Sequence, residues 1–307
     1  MPRPPKDPRV AALRRFAVSI TVFTIVGHFA LGFEQSWAQP AVALVTAYAL
    51  ELALEALDAW GPRREPRFRG GVGALVTFLL PAHISALSIG LLLYANDRVW
   101  PFAFAAAIAV GAKFVLRAPV AGKPRHFLNP SNLGIAVTLV LFPWVGIAPP
   151  YHFTEYTSGA LDWIIPIAVL FSGLALNLQL TQKGPLIAGW LLGFAAQAVV
   201  RGAFTDIATV AALVPMTGAA FILFTNYMIT DPGTVPVRPR NQFVFGVTAA
   251  AAYGVLVAAH VVFGLFFCLV AVCALRGALL WAIALRDALQ RRRVVEPEVA
   301  PSPTPAR

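Results

Sequence analysis

The run Gly73-Ala74-Leu75-Val76-Thr77-Phe78-Leu79-Leu80-Pro81-Ala82-His83-Ile84-Ser85-Ala86-Leu87-Ser88-Ile89-Gly90-Leu91-Leu92-Leu93-Tyr94-Ala95 contains no Asp, Glu, Lys or Arg. A bilayer core takes about 20 apolar residues of helix, because lipid offers no partner to an open backbone N–H or C=O. This stretch meets that length. The same ruler, moved outward, predicts spans near Phe16 to Phe33, Pro40 to Leu57, Trp100 to Leu116, and Ser131 to Ala148. A second set follows near Leu161 to Thr181, Gly184 to Val200, Ile207 to Ile229, Phe243 to Ala259, and Val262 to Ile283. Only His260 and Gly264 mark a turn inside the last apolar stretch. The expected fold is an all-α membrane protein of about ten transmembrane helices.

Composition agrees. Of 307 residues, 58% are hydrophobic and 12% charged, whereas a soluble domain is about a quarter charged. So little charge cannot cover a water-facing surface. The 24 Lys and Arg outnumber the 14 Asp and Glu, but they sit in short loops without aromatic interleaving, which argues against nucleic-acid binding. With a cytoplasmic N-terminus, Arg3, Lys6, Arg9, Arg14, Arg15, Arg63, Arg64, Arg67, Arg69, Lys113, Arg117, Lys123 and Arg125 fall inside. So do Lys183, Arg238, Arg240 and Arg291-Arg292-Arg293. Arg98 and Arg201 fall outside, the asymmetry expected of cytoplasmic loops. An even number of spans keeps the triple arginine inside. The organisation predicted is a cytoplasmic segment 1–15, a membrane domain 16–287 with halves 16–150 and 151–287, and a disordered cytoplasmic tail 288–307. The setting is a cell membrane, inner or plasma. No small-residue cleavage site follows the first apolar run, so no signal peptide is expected. Cys268 and Cys273, five residues apart, lie about 140° apart on a helix and neither bridge nor share a metal.

The third and eighth spans superpose without gaps at an offset of 134 residues: Val76 falls on Val210, Leu80 on Val214, Pro81 on Pro215, Ala86 on Ala220, Ile89 on Leu223 and Asp97 on Asp231. Five spans separate the copies, an odd number, so the expected architecture is two inverted five-helix halves. Such halves place sites at their interface.

Three polar stretches stand out. In Lys123-Pro124-Arg125-His126-Phe127-Leu128-Asn129-Pro130-Ser131-Asn132-Leu133-Gly134, Asn129 before Pro130 reads as an N-cap with proline at the first helical position. The open N–H groups beside Lys123, Arg125 and His126 suit an anion, and equally a capped helix with topological charges. In Thr225-Asn226-Tyr227-Met228-Ile229-Thr230-Asp231-Pro232-Gly233-Thr234, proline and glycine end a helix whose polar groups are costly against lipid. Thr154-Glu155-Tyr156-Thr157-Ser158-Gly159-Ala160-Leu161-Asp162 is a hydroxyl-rich outer loop. Glu51 and Glu55 share one face of the second span and are candidates for an ion pathway. For His28 and His83, packing or interhelical hydrogen bonding is the expectation. Gly189 and Gly193 form a small-residue pair for close helix packing.

Taken together, the chain resembles the RnfD/NqrB family, membrane subunits of the Rnf and sodium-pumping NADH:quinone oxidoreductase complexes. The resemblance rests on Asn129-Pro130 opening a helix, Thr230-Asp231-Pro232 ending one, and the two-half plan. The wording Arg125-His126-Phe127-Leu128-Asn129-Pro130-Ser131-Asn132-Leu133-Gly134 is closest to the UnbU-like branch of enediyne biosynthesis clusters. The resemblance implies a redox or electron-transport subunit with partner redox subunits or biosynthetic enzymes. It also implies a flavin, FMN or riboflavin, near Arg125, Asn129, Pro130, Ser131, Asn132, Thr157, Ser158, Gly159, Thr230, Asp231 and Pro232. The family carries FMN on the threonine of an outer Ser-Gly-Ala-Thr motif, and here the run is Ser158-Gly159-Ala160-Leu161. Leucine has no oxygen to esterify, so only a non-covalent flavin is expected. The alternatives are a solute or ion channel of urea-transporter-like architecture and a flavin-free membrane scaffold.

Overall fold

The structure, a computed structural model, describes residues 8–120 and 122–295. Arg3, Lys6 and the expected tail from Glu296 lie outside the described residues. Helix α1 spans Pro8–Phe29, α2 Ala38–Trp60, α3 Val72–Leu92, α4 Trp100–Val115 and α5 Pro130–Leu141. Helix α6, Leu161–Leu176, runs on as a π-turn, Asn177–Thr181, and α7 is Gly184–Phe204. The short helices α8, Thr209–Leu213, and α9, Ala219–Leu223, flank a 3-10 turn, and α9 continues as a second π-turn, Phe224–Met228. Helices α10, Pro239–Ala258, and α11, Gly264–Val295, close the chain. Strand β1, Leu93–Tyr94, pairs antiparallel with β4, Gly146–Ile147; β2, Arg117–Val120, pairs antiparallel with β3, Lys123–His126.

Among the described residues seven helices are long and apolar enough to cross a membrane, and eight if the bent pair Thr209–Thr217 and Ala219–Met228 counts as one span. This is a multi-pass helical membrane protein. Ten full-length spans are not what it presents, because the expected fourth and fifth are apolar helices of only 16 and 12 residues. Helix α5 stops at Leu141 because Phe142 precedes Pro143, and a residue before proline avoids the helical region. The eighth is bent by 65°. There Pro215 opens a 3-10 turn, and Gly218 then takes an extended backbone with ψ 147°. In α3 Pro81 sits within a continuous helix. The residue that matches Gly218 at the repeat offset is Ile84, which stays helical.

The last apolar stretch is two helices. His260 and Phe263, with φ of 57° and 62°, turn the chain between α10 and α11. The outer boundaries differ from expectation: α1 begins at Pro8 instead of Phe16, and α11 runs to Val295, past Ala288, where a disordered tail was expected.

Helix α2 packs on α3 and α4, α4 on α5, and α1 on α3; in the second set α7 packs on α10, α10 on α11, and α6 on α9. Helix α11 also meets α5. Glycine sets the closest crossing. A Cβ on Gly189 would lie 2.3 Å from the Phe243 carbonyl oxygen, one on Gly246 2.4 Å from that of Leu186, and one on Gly193 2.8 Å from Ala250 Cβ. Without a hydrophobic drive between helices in lipid, such close van der Waals packing holds them together.

The polar loops collect at two ends. At one, Arg117 bonds Asp58, Trp281 Nε1 donates to the Arg117 carbonyl at 3.1 Å, and Lys183 Nζ donates to the Pro236 carbonyl at 3.1 Å. At the other, Gln35 Nε2 donates to the Leu93 carbonyl at 2.6 Å, Gln39 Nε2 to that of Asn96 at 2.5 Å, and Gly32 lies under the Tyr156 ring.

Candidate functional site

Asn129 is the N-cap of α5, with extended backbone and Pro130 in the first turn. Its Oδ1 accepts from Asn132 N at 2.9 Å and from Ser131 Oγ at 3.0 Å. Its Nδ2 donates to the Met228 carbonyl at 2.9 Å, across 99 residues. One buried amide thus caps one helix and takes up a carbonyl of the π-turn in the second half. Asn132 Nδ2 donates to the Phe266 carbonyl of α11 at 2.9 Å. From the other side Asn177 Nδ2 donates to the Asn226 carbonyl at 2.7 Å and to that of Gly173 at 2.9 Å. A π-turn departs from the regular ladder, and Asn129 and Asn177 take up its Met228 and Asn226 carbonyls.

Thr230, Asp231 and Pro232 stand beside this junction. Thr230 Oγ1 donates to the Asn226 carbonyl at 2.7 Å. Asp231 closes its own turn, accepting Gly233 N on Oδ1 at 3.1 Å and Thr234 Oγ1 on Oδ2 at 3.1 Å. Pro232 is exposed. His126 lies against Gly233, where a Cβ would be 2.7 Å from its Nε2. Burial pushes His126 below its ordinary value, against the pull of Asp231. Arg125 is exposed on β3.

Thr157, Ser158 and Gly159 do not join them. They precede α6, at the opposite end of that helix from Asn177, which at about 1.5 Å per residue is roughly 25 Å away. Ser158, Gly159 and Leu161 are exposed, and the Thr157 hydroxyl donates to Asp162 and to the Thr154 carbonyl. One flavin ring cannot touch both groups.

The two glutamates part company as well. Glu55 has no exposed surface. It accepts Arg64 Nη1 at 2.6 Å, Arg67 N at 2.8 Å, Arg67 Nε at 2.9 Å and Arg67 Nη2 at 2.6 Å. It is the bracket of the α2–α3 loop. Glu51, 5% exposed, instead pairs with Lys113 of α4, whose side chain is 9% exposed. One turn before Glu51 on the same face of α2 stands Tyr48, whose hydroxyl meets His83 Nδ1 at 2.6 Å; the other ring nitrogen meets Thr21 Oγ1 at 2.7 Å. His83 is therefore an interhelical tie, as expected, and it joins α1, α2 and α3.

Asn132 Oδ1 and Asn226 Oδ1 are buried without a hydrogen-bond partner, which suits a group with donors such as a flavin imide or ribityl hydroxyls. Space decides against one. Asn129, Asn132, Asn177 and Asn226 are at most 5% exposed, and the neighbouring cavity, lined by Phe23, Ser88, Tyr227 and Met228 and not by these asparagines, measures about 10 Å³. That volume admits a water, whereas a flavin-sized ligand needs about 300 Å³ or more. The residues at the junction do not fit a flavin as they are packed.

Sequence reasoning missed Tyr48, Asn177 and the pairing of Lys113. Lys113 was counted as a topological charge, although it is the lone charged residue of its apolar run, which was signal enough. No family model matches this chain, and no curated protein matches it.

Proposed function

We propose that this chain is a membrane subunit of a redox assembly of the RnfD/NqrB type, and that its own contribution is a proton route through the first half of the bundle. The buried Glu51–Lys113 pair carries this reading. Taking two charges out of water costs several kcal/mol each, and ionisable pairs among membrane helices mark ion and proton paths. Tyr48, His83 and Thr21 extend the polar line away from Glu51. Each of these groups both donates and accepts, and an imidazole exchanges its proton between two nitrogens. Electrons travel on partner subunits, since the asparagine junction is too tightly packed for a flavin.

Ten crossings in two inverted halves are part of the same proposal. Residues 130–147 begin beside the Asp231 turn and end paired with β1, so they pass from one end of the bundle to the other although the helix stops at Leu141. The pairings α1–α3, α2–α4 and α4–α5 recur as α6–α9, α7–α10 and α10–α11. The arginine-rich end, where α1 starts and α11 finishes, is assigned to the cytoplasm by the positive-inside rule. A partner redox subunit or biosynthetic enzyme would dock there.

The test is proton flux into liposomes holding the purified chain, under a potassium-clamped potential, alongside its visible absorption spectrum. Potential-driven flux with no flavin band is expected. A chain that passes urea but no protons would be the channel alternative, a chain that passes neither would be the scaffold, and a stoichiometric flavin band would return the electron carrier to this subunit.

A further inference from the structure

Glu51 and Lys113 are buried, so a proton that reaches them from the arginine-rich end needs a carrier between the pair and water. Two titratable groups stand in that direction. One turn beyond Glu51 on α2 is Glu55, but it already accepts four hydrogen bonds from Arg64 and Arg67. A guanidinium does not give up its proton in a protein. That way is closed.

The other group is His126. Lys113 lies in the last turn of α4, and the β2–β3 hairpin that follows folds back on it. Arg117, one turn later, donates from Nε to the Lys113 carbonyl at 2.9 Å and stands opposite His126 in the hairpin ladder. Opposed residues of an antiparallel pair have Cα atoms about 5 Å apart, so the hairpin returns the imidazole to the end of α4 that carries Lys113. A Cβ on Gly233 would lie 2.7 Å from His126 Nε2 and 3.5 Å from Asp231 Oδ1, so both atoms face the same side of that glycine. The ring is half-buried, whereas Lys123, Pro124 and Arg125 before it are exposed. It stands between solvent and the buried pair. The charges that act on it are Asp231 from the turn after α9, Lys113 from α4, Glu51 from α2 and Arg117 from β2. Two carboxylates favour the protonated ring and two cations the neutral one, so neither form is locked, as a proton carrier requires.

We propose that His126 passes protons between water at the arginine-rich end and the Glu51–Lys113 pair. One ring nitrogen takes a proton from water to form the imidazolium, and the other gives its proton to the Glu51 carboxylate, which leaves a neutral ring. Only N–H and O–H bonds form and break. The proposal rests on the proton route and supplies its terminus.

The experiment is potential-driven proton flux in liposomes holding the full chain, for the wild type, Glu51→Gln, His126→Gln and His126→Ala, with and without added imidazole. Flux should fall on the order of tenfold or more in both His126 variants. Imidazole should restore it in His126→Ala and not in Glu51→Gln, a rescue that a merely structural ring would not give. Wild-type flux in both His126 variants, with flux lost in Glu51→Gln, overturns the role of His126 and leaves the route standing. Absence of flux in the wild type overturns both. Loss without rescue, in variants that melt like the wild type, makes the ring a packing element and also overturns the proposal. Should the variants fail to fold, the wild type alone decides. Its flux at equal pH on both sides should level off as pH falls through the His126 titration, followed by nitrogen-15 NMR of the histidine-labelled chain. Flux that keeps rising in proportion to proton concentration overturns the assignment.

Discussion

Asn129 joins two helices through one amide, and its two ends were not equally visible. The cap is local, written in Asn129-Pro130, and follows from the sequence; the bond from Nδ2 to Met228 depends on how the halves meet and does not. Asn129→Ala should lose the cap, about 1 kcal/mol, and the interhelical bond, about another 1 kcal/mol. Asn129→Ser keeps a capping oxygen without the amide donor and should lose less, which thermal melting in detergent resolves. His152, buried and stacked on Phe33 with ring centroids 3.6 Å apart, sets a pH dependence. Burial, with the nearby His28, pushes its ring from 6.5 down to about 4. The unfolded chain takes up a proton below 6.5 that the folded loop refuses. Stability is therefore full above about pH 6.5 and falls as pH drops toward 4, by at most about 3 kcal/mol. His152→Phe, which preserves an aromatic stack, should flatten that part of the melting profile. Glu51 and Glu55 show the limit of spacing: both sit on one face of α2, but only the partners brought by α4 and by the α2–α3 loop separate a charge pair from a loop bracket.

Elements were legible where periodicity and breakers act within a few residues. The turn at His260, the start of α5 and the close packing at Gly189 and Gly193 all follow from local sequence. The bend of the eighth span does not follow from proline alone, since Pro81 leaves α3 unbroken while Pro215 with Gly218 breaks its counterpart. At the α7–α10 crossing the glycines are required by space: a Cβ on Gly189 would meet backbone at 2.3 Å. Gly189→Ala should force the helices apart and cost about 1 to 3 kcal/mol. Gly111→Ala, where nothing lies within 4 Å of the added carbon, should be neutral or slightly stabilising in the same melting assay.

For the whole molecule, composition settled the class and loop charge the expected sidedness, while the count of spans differs because the expected fourth and fifth are helices of only 16 and 12 residues. Reporter fusions after Asp97, Tyr156 and Arg201 should read outside, and those after Arg67, Arg125, Arg238 and Arg293 inside. A cytoplasmic reading at Tyr156 would remove the fifth crossing. The proton route makes a sharper claim, because it assigns different work to two carboxylates one turn apart. Proton flux should therefore be compared in matched liposomes for the wild-type chain, Glu51→Gln and Glu55→Gln. Flux lost in Glu51→Gln and retained in Glu55→Gln is the predicted result; equal flux in wild type and Glu51→Gln would contradict it.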